Sequence, residues 1–456
     1  MERLDFMAKD LTRGNVFSSI VGFSVPIFLA NVFQQLYNMA DSFRVGRFVG
    51  KTAFAAVGST GSINFLILGF VLGMCTGVTI PVAQRFGAGD YSGMRRKITD
   101  AMFACIIMGI IITALSAAMT GSMLKWMKTP DDIYRDAYNY IFIIFLGIPT
   151  LLMYNLPANI SRALGDSKTP LYFLLLSAGL NVVLDIIGVC VLHLGVRGTA
   201  VATVTSQLVS GLACIFYMLK KYEKLLTFDK EELEFRPHEI YRSSKIGMPM
   251  GFQFSITAIG TVVLQAAVNA VGSDCVAAIN AANKINSIVT QPFEALGATM
   301  ATYAGQNLGA GDIDRVKKGV RVSIVLSAIF AVAMFIVNTT FGTPISTIFL
   351  KKADINAQLI GYISKFLFIN STGFFLLGTL LILRNCLQGL GFSVAAMGAG
   401  LFEMVARTVV AFAAKGEQAY PIICTANVAA WVMANVILIP LYIWGVKRIK
   451  KNVLNT

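Results

Sequence analysis

Histidine is almost missing from this chain of 456 residues: His193 and His238 are the only two, and both fall in predicted loops. There is no HExxH, no Cys/His cluster at metal spacing and no GxSxG turn, so a zinc hydrolase or serine hydrolase embedded in a membrane is disfavoured. Charge is scarce too, at 14% of residues, and the 24 acidic side chains are outnumbered by 38 basic ones. The seven cysteines (Cys75, Cys105, Cys190, Cys214, Cys275, Cys386 and Cys424) lie mostly inside apolar segments and form no CxxC pair. That pattern suits small membrane-core residues, not a disulfide framework or a metal site. No cleavable signal peptide is apparent, since MERLDFMAKDLTRGN is polar and mixed in charge and the apolar run after it is long enough to span and stay.

What fills the chain instead is apolar surface. Hydrophobic residues make up 56% and the mean hydropathy is +0.69, against roughly 45–50% apolar residues in soluble globules. The fold class this implies is an all-α polytopic membrane protein. Twelve spans are predicted, near 15–42, 53–82, 98–121, 133–157, 170–192, 196–219, 244–270, 276–304, 320–341, 355–383, 393–413 and 420–446. Several exceed the roughly 20 residues a bilayer needs, so tilt or extension beyond it is expected. Pro26 should kink the first span by removing a backbone hydrogen bond. In the second, Gly69, Gly73 and Gly77 form a double GxxxG, which suits close approach of a neighbouring helix.

Orientation follows from lysine and arginine. With both termini placed in the cytoplasm, inner segments hold 25 basic residues and outer loops 10, the bias expected of a multi-pass protein in the cell membrane. The basic residues are spread over short inner loops, which suits anionic lipid headgroups and not nucleic acid.

Against this background one polar stripe stands out. Asn31, Gln35, Asn38 and Asp41 recur at intervals of three and four in the first span, with Gln34 and Ser42 beside them. An Asp at membrane depth costs about 2.5–3.5 kcal/mol on insertion scales, so Asp41 is a functional candidate, and Asn31, Gln35 and Asn38 are candidates to line a cavity. The plainer alternatives put Asp41 at the membrane surface or pair it with Arg44 one turn on.

The longest polar stretch between spans, Lys220 to Lys245, falls at mid-chain with six spans on either side. The domains expected are therefore an N-terminal lobe at 1–219, a cytoplasmic linker at 220–243 and a C-terminal lobe at 244–456. The halves repeat at an offset of 222. Gly50 falls on Gly272, Ala55-Ala56 on Ala277-Ala278, Asn64 on Asn286, Gln84 on Gln306, and Arg162 on Arg384. Most tellingly, Gly87-Ala88-Gly89-Asp90 falls on Gly309-Ala310-Gly311-Asp312. Halves six spans apart run in the same direction, which makes them parallel repeats of the kind found in transporters. Neither GAGD loop continues as GxGxxG or GxxxxGK[ST], so they are not phosphate cradles.

The same offset shows where the halves differ. It takes Asp41 to Val263, Asn181 to Glu403 and Asp185 to Arg407. Asn181 and Asp185 lie one turn apart on the fifth span and, with Asp41, would make a cluster of oxygen ligands. Two carboxylates in a poorly hydrated site cannot both stay ionised cheaply, so a proton or a cation, Na⁺ included, should join them. Thr203 and Thr199 of the sixth span are placed to add hydroxyl oxygens. The alternative is a purely structural network between helices. Glu403 and Arg407, i and i+4 on the eleventh span, are read as a structural pair, with contact to a charged substrate as the second possibility. Asn280, Asn283 and Asn286 share part of the eighth-span helix and suit either a cavity wall or inter-helix packing; Lys284 and Glu294 are charges in the same span.

The chain resembles the multidrug and toxic compound extrusion (MATE) family over essentially its full length. The residues that carry this are NVFQQLYNMADSFRVGRFVG in the first span, the paired AQRFGAGD and GQNLGAGD loops, SRALGDSKTP after the fourth span and NVVLDIIGV in the fifth. The resemblance implies two six-helix lobes around a central cavity that opens alternately to each side. It also implies export of organic, often cationic and lipophilic compounds by antiport with H⁺ or Na⁺. In MATE relatives the positions matching Asp41, Asn181, Asp185 and Thr203 form the ion site of the N-terminal lobe. The sodium-driven NorM branch has acidic residues in the seventh and tenth spans. Here the seventh offers Gln253 and Gln265, and the tenth Asn370 and Lys365. That departure places the chain nearer the DinF-like branch and weakens the case for a sodium site in the C-terminal lobe. Arg44 also departs from the apolar residue expected there, and would favour an ionised Asp41. The rival on the same general fold is a flippase for a lipid-linked or other amphiphilic metabolite, which would be expected to show several Arg or Lys in its spans. Implied partners are a small organic substrate, the coupling ion and the bilayer. The protein is expected to act as a monomer without cofactor.

Overall fold

The computed structural model describes residues 10–44, 51–350, 355–414 and 419–454, with the side chains of 40–44, 51, 52, 54 and 452–454 outside that description. Every regular element among the described residues is helical. In chain order they are α1 (Val16–Arg44), α2 (Lys51–Val78), α3 (Ile80–Gly87), α4 (Tyr91–Trp126), α5 (Asp131–Leu146), α6 (Ile148–Ala163), α7 (Lys168–Ile186) and α8 (Val196–Lys221). There follow α9 (Pro237–Val271), α10 (Ser273–Val289), α11 (Gln291–Gly309), α12 (Ile313–Thr347) and α13 (Ala357–Thr372). The chain finishes with α14 (Phe374–Gly389), α15 (Ser393–Ala413), α16 (Ala419–Cys424) and α17 (Ala426–Leu454).

Nine helical stretches among the described residues are long and apolar enough to cross a membrane. Two bent pairs, α5 with α6 at 45° and α13 with α14 at 47°, bring the number to eleven. The eighth place in the expected order is held by α10 and α11, which carry Asn280, Asn283, Lys284, Asn286 and Glu294 and are too polar to qualify on apolarity alone. Several expected spans are thus two helices, not one. Proline explains three of the breaks: Pro81, Pro149 and Pro292 each fall in the first turn of the helix that restarts. Proline is tolerated there because its missing N–H would have had no partner in the helix.

The repeated GAGD tetrapeptide is a helix stop and a helix start in four residues. Gly89 and Gly311 adopt φ of +71° and +76°, a left-handed conformation that glycine reaches without strain. The following Asp90 and Asp312 return their N–H to Arg85 O (3.1 Å) and Asn307 O (2.9 Å), closing the old helix. Their side chains then accept from Gly93 N and Arg315 N, both at 2.8 Å, and cap α4 and α12.

Beyond these loops the register slips by one turn. Gly165 and Gly391, with φ of +82° and +88°, end α6 and α14 in the same way, and they are 226 residues apart. At that offset Arg162 falls on Gln388 and Asn181 on Arg407. The pairing of Arg162 with Arg384 and of Asn181 with Glu403, expected from a constant offset of 222, is therefore corrected. The four added residues fall in the connection between α12 and α13, not inside a helix.

Two compact units form. One is built on Leu29–Ser255, the other on Arg13–Phe28 with Ile256–Thr456. The first half of α1 thus goes with the second unit, and the polar segment before α9 belongs to the first, where a cut at 220–243 would have separated it. In the first unit the double GxxxG of α2 meets α9 backbone to backbone. A Cβ on Gly73 would lie 2.6 Å from Met250 O, and one on Gly77 would lie 2.6 Å from Gly247 Cα. Gly247 and Gly251 of α9 answer them, opposed to Met74 O and Phe70 O. Small residues on both helices allow this approach, where dispersion replaces the hydrophobic effect as the driving force.

The segment between α8 and α9 is docked, not free. Glu232, buried, accepts from Arg95 through both carboxylate oxygens (2.6 and 2.9 Å) and from Ser92 Oγ (2.7 Å). Lys97 donates to Glu239 (2.5 Å) and to buried Asp100 (3.1 Å), and Arg236 reaches Asp100 at 3.0 Å. Phe235 packs edge-on against Phe103 at 5.2 Å. Bidentate and networked pairs of this kind order a loop where an isolated surface pair would contribute little. Nearby, Asp166 of the SRALGDSKTP loop accepts from Lys221 Nζ and Tyr222 OH, both at 2.7 Å, from Thr169 Oγ1, and from the N–H groups of Lys168 and Thr169. Burial alone would raise its pKa; the hydrogen bonds outweigh burial and hold the carboxyl below its ordinary value.

Candidate functional site

The fifth-span pair lies where α7 and α8 come closest. Just after Asp185 the helix widens into a π-helical turn over Ile187–Val191, a distortion often found at functional positions. Within it Gly188 faces Gly198 of α8: a Cβ on Gly188 would lie 3.2 Å from Gly198 Cα. Gly195, at φ +56°, turns the chain between the two helices. Two missing side chains therefore let the start of α8 lie against the end of α7, opposite Asn181 and Asp185.

One orientation of the Asn181 amide satisfies all its neighbours. Nδ2 then donates to Asp185 Oδ2 at 2.9 Å and to the Tyr37 hydroxyl at 2.8 Å. Oδ1 accepts from Thr203 N and lies 3.2 Å from Thr203 Oγ1, which is also 3.0 Å from Thr199 O. Amide orientation follows from the hydrogen-bond network, and the carboxylate beside Nδ2 decides it here. Asn181 and Asp185 are 1% and 4% exposed. A buried carboxylate held by an amide that two hydroxyls also contact is a set of oxygen donors suited to a proton or a small hard cation.

Asn181, Asp185 and Thr203 are brought together, whereas the Thr199 hydroxyl turns back to Val196 O at 2.8 Å. Asp41 and Arg44 belong to α1 by backbone, but their side chains lie outside the described residues. Tyr37 joins the cluster unforeseen, although it stands one turn (i, i+4) before Asp41 and so shares its face. Asn31 and Gln35 are half-buried on α1; Asn38 is exposed and accepts from Gln34 Nε2 at 3.1 Å. Pro26 sits inside α1, two residues before the units part between Phe28 and Leu29.

In the second unit Glu403 and Arg407 are 3.6 Å apart, yet Arg384 of α14 is nearer, donating to Glu403 at 2.9 Å. The pair is a triad. Glu403 and Arg407 are buried (3% and 5% exposed), so one carboxylate lies between two largely desolvated guanidinium groups. Glu294, Lys284 and Asn280 are exposed; Asn283 and Asn286 both line a cavity of about 430 Å³.

The MatE family model matches residues 26–187 and 249–413. The probable multidrug resistance protein YpnP of Bacillus subtilis (strain 168) is 33% identical over 309 residues, covering 68% of this chain and 69% of YpnP. YoeA of the same organism, also a probable multidrug resistance protein, is 29% identical over 352 residues, covering 75% of each chain. Among solved structures, a crystal structure of MATE in complex with MaL6 superposes with a TM-score of 0.88 at 21% identity, covering 99% of this chain and 100% of that one. The twelve-span membrane fold, the repeated GAGD loops and the matched family model lead to one assignment: the chain belongs to the MatE family of multidrug efflux transporters, and it is not an enzyme.

Proposed function

We propose that the protein is a secondary active antiporter of the DinF-like branch. It exports small organic compounds, as its YpnP and YoeA relatives' names suggest for them, in exchange for inward H⁺ or Na⁺. The observation that carries this is the buried carboxylate of Asp185, held by Asn181 against Tyr37 and Thr203. With Asp41 on the face that Tyr37 occupies, this cluster binds the coupling ion. A univalent cation moving down 100 mV supplies about 2.3 kcal/mol, and each pH unit of gradient adds about 1.36 kcal/mol. That energy is used only if the loaded and empty site favour different conformations; Pro26 is the natural point for α1 to rebend. Both termini lie in the cytoplasm and the monomer is the working unit.

The test is transport in proteoliposomes across a panel of organic cations and neutral dyes, with ΔpH or ΔpNa imposed separately. Uptake driven by one gradient and abolished by its collapse supports the proposal and names the ion. Uptake indifferent to both gradients would leave a channel or a flippase.

A further inference from the structure

Three broken helices of the second unit bring their breaks to one cavity. The breaks are Thr290 between α10 and α11, Gly373 between α13 and α14, and Thr425 between α16 and α17. Residues on or beside each line the same space of about 430 Å³: Thr290 itself, Asn370 and Phe374 around Gly373, and Asn427 just past Thr425. In a bilayer, irregular backbone survives only where protein buries it or where it borders a cavity, and discontinuous helices are where transporters hold ligands.

The lining combines amides with hydroxyl, aliphatic and aromatic side chains, and none of it is ionisable. Asn427 donates to Asn370 Oδ1 at 3.0 Å, and Asn370 in turn donates to Phe366 O (3.0 Å) and Cys424 O (3.4 Å). Behind the wall, fully buried Asn338 donates to Asn286 Oδ1 (3.1 Å) and to Ser371 Oγ (2.7 Å). These bonds fix the amides and leave groups to spare: among the described residues no hydrogen bond engages the Asn283 side chain, Asn286 Nδ2 or Asn427 Oδ1. Of the rings that border the space, Trp431 keeps some open surface (8%), whereas Phe366 and Phe374 are buried; Trp431 is wedged against Gly373, where a Cβ would lie 2.8 Å from its Cε3.

From this geometry we infer that the chamber in the second unit is a binding site for a neutral, planar heteroaromatic compound bearing amide-like N–H and C=O edges. Amides offer donors and acceptors together, and aromatic walls hold a flat ring. No lining carboxylate offsets the desolvation of a cation, and no lining cation that of an anion, whereas a neutral ring loses less on leaving water. The volume falls in the range of about 300–1,000 Å³ usual for small-ligand pockets. The site goes beyond the coupling mechanism proposed above, since it asks only for equilibrium binding.

The experiment uses the purified full chain in nanodiscs, with lumiflavin as a neutral fluorescent probe and ethidium as a cationic comparator of similar flatness. Lumiflavin should bind saturably, with quenching by Trp431 and with an affinity unchanged between pH 6 and 8. Trp431→Phe should keep binding by equilibrium dialysis while losing most of the quenching. Asn283→Leu removes an amide that makes no internal bond, so folding is spared, and affinity should fall about three- to tenfold, the worth of one neutral hydrogen bond. Asn283→Asp, of the same shape, should weaken lumiflavin and strengthen ethidium. Lumiflavin binding unaffected by both Asn283 variants, or ethidium binding tighter than lumiflavin to the unaltered chain, overturns the inference. Either result is independent of whether any ion gradient drives transport.

Discussion

Arg384 donates to Glu403 at 2.9 Å, closer than Arg407 one turn along Glu403's own helix. The carboxylate therefore belongs to two helices, α14 and α15, and its removal strands two guanidinium groups at once. Glu403→Gln should cost about 3–5 kcal/mol, the usual loss when one partner of a buried pair is taken away. Arg407→Leu should cost less, because Arg384 still holds Glu403. Thermal unfolding of purified protein gives the order; equal losses for both variants would return Arg407 to the status of primary partner.

Asp185→Asn and Asp41→Asn keep side-chain size and remove titration. Both variants should insert and fold as the parent does, and substrate accumulation driven by an ion gradient should vanish. Vesicle uptake under an imposed gradient is the measurement. Transport by both variants at the parental rate would move the coupling site out of the first unit.

The docked segment before α9 should loosen in acid. Hydrogen bonds from Arg95 and Lys97 hold Glu232 and Glu239 at about 2, against 4.5 for an unperturbed group. A carboxyl depressed on folding contributes fully above its unfolded pKa and loses that contribution as pH falls through its folded one. Protection of backbone amides around 229–240 against hydrogen exchange should thus hold at pH 5 and above and drop between pH 4.5 and 2. Glu232→Gln should lower protection at neutral pH as well. A profile flat across that window in the parent chain would show that the contact of Phe235 with Phe103, not charge, holds the segment.

Cysteines introduced at Thr227 and at Lys351, in a background lacking Cys190, should label from opposite sides of the membrane. Thr227 is exposed in the docked segment; Lys351 lies outside the described residues, in the loop expected to be external. Labelling Thr227 from the cytoplasm is the expected result, and the reverse pattern would overturn the orientation drawn from lysine and arginine.

How much of this was legible beforehand depends on distance along the chain. Apolar run length, the GAGD repeat and the α2 glycines are local signals, and each has a local structural consequence. Asn181 and Asp185 were visible because one helix turn joins them. Tyr37 and Arg384 were not, because each meets its partner across a gap between helices that spacing does not encode. The register slip escaped a constant offset for a different reason. The four-residue insertion lies in the connection between α12 and α13, so it interrupts the apolar pattern of neither helix. Pro81, Pro149 and Pro292 did announce three of the helix breaks, whereas Gly373 and Thr425 interrupt helices without one.

The membership of α1 bears on biosynthesis. Arg13–Phe28 belongs to the unit otherwise made of the last two hundred residues. It is tied there by Arg315, whose guanidinium donates to Arg13 O at 2.7 Å and Gly14 O at 2.9 Å. This stretch is made before α12 and must therefore wait for it before its partners exist. A ribosome stalled after α9 would hold a first unit able to close and an N-terminal arm with nothing to grip. Two halves made as separate polypeptides would have to exchange that arm to complete the second unit, so co-expression, not later mixing, is the condition under which they should reassemble.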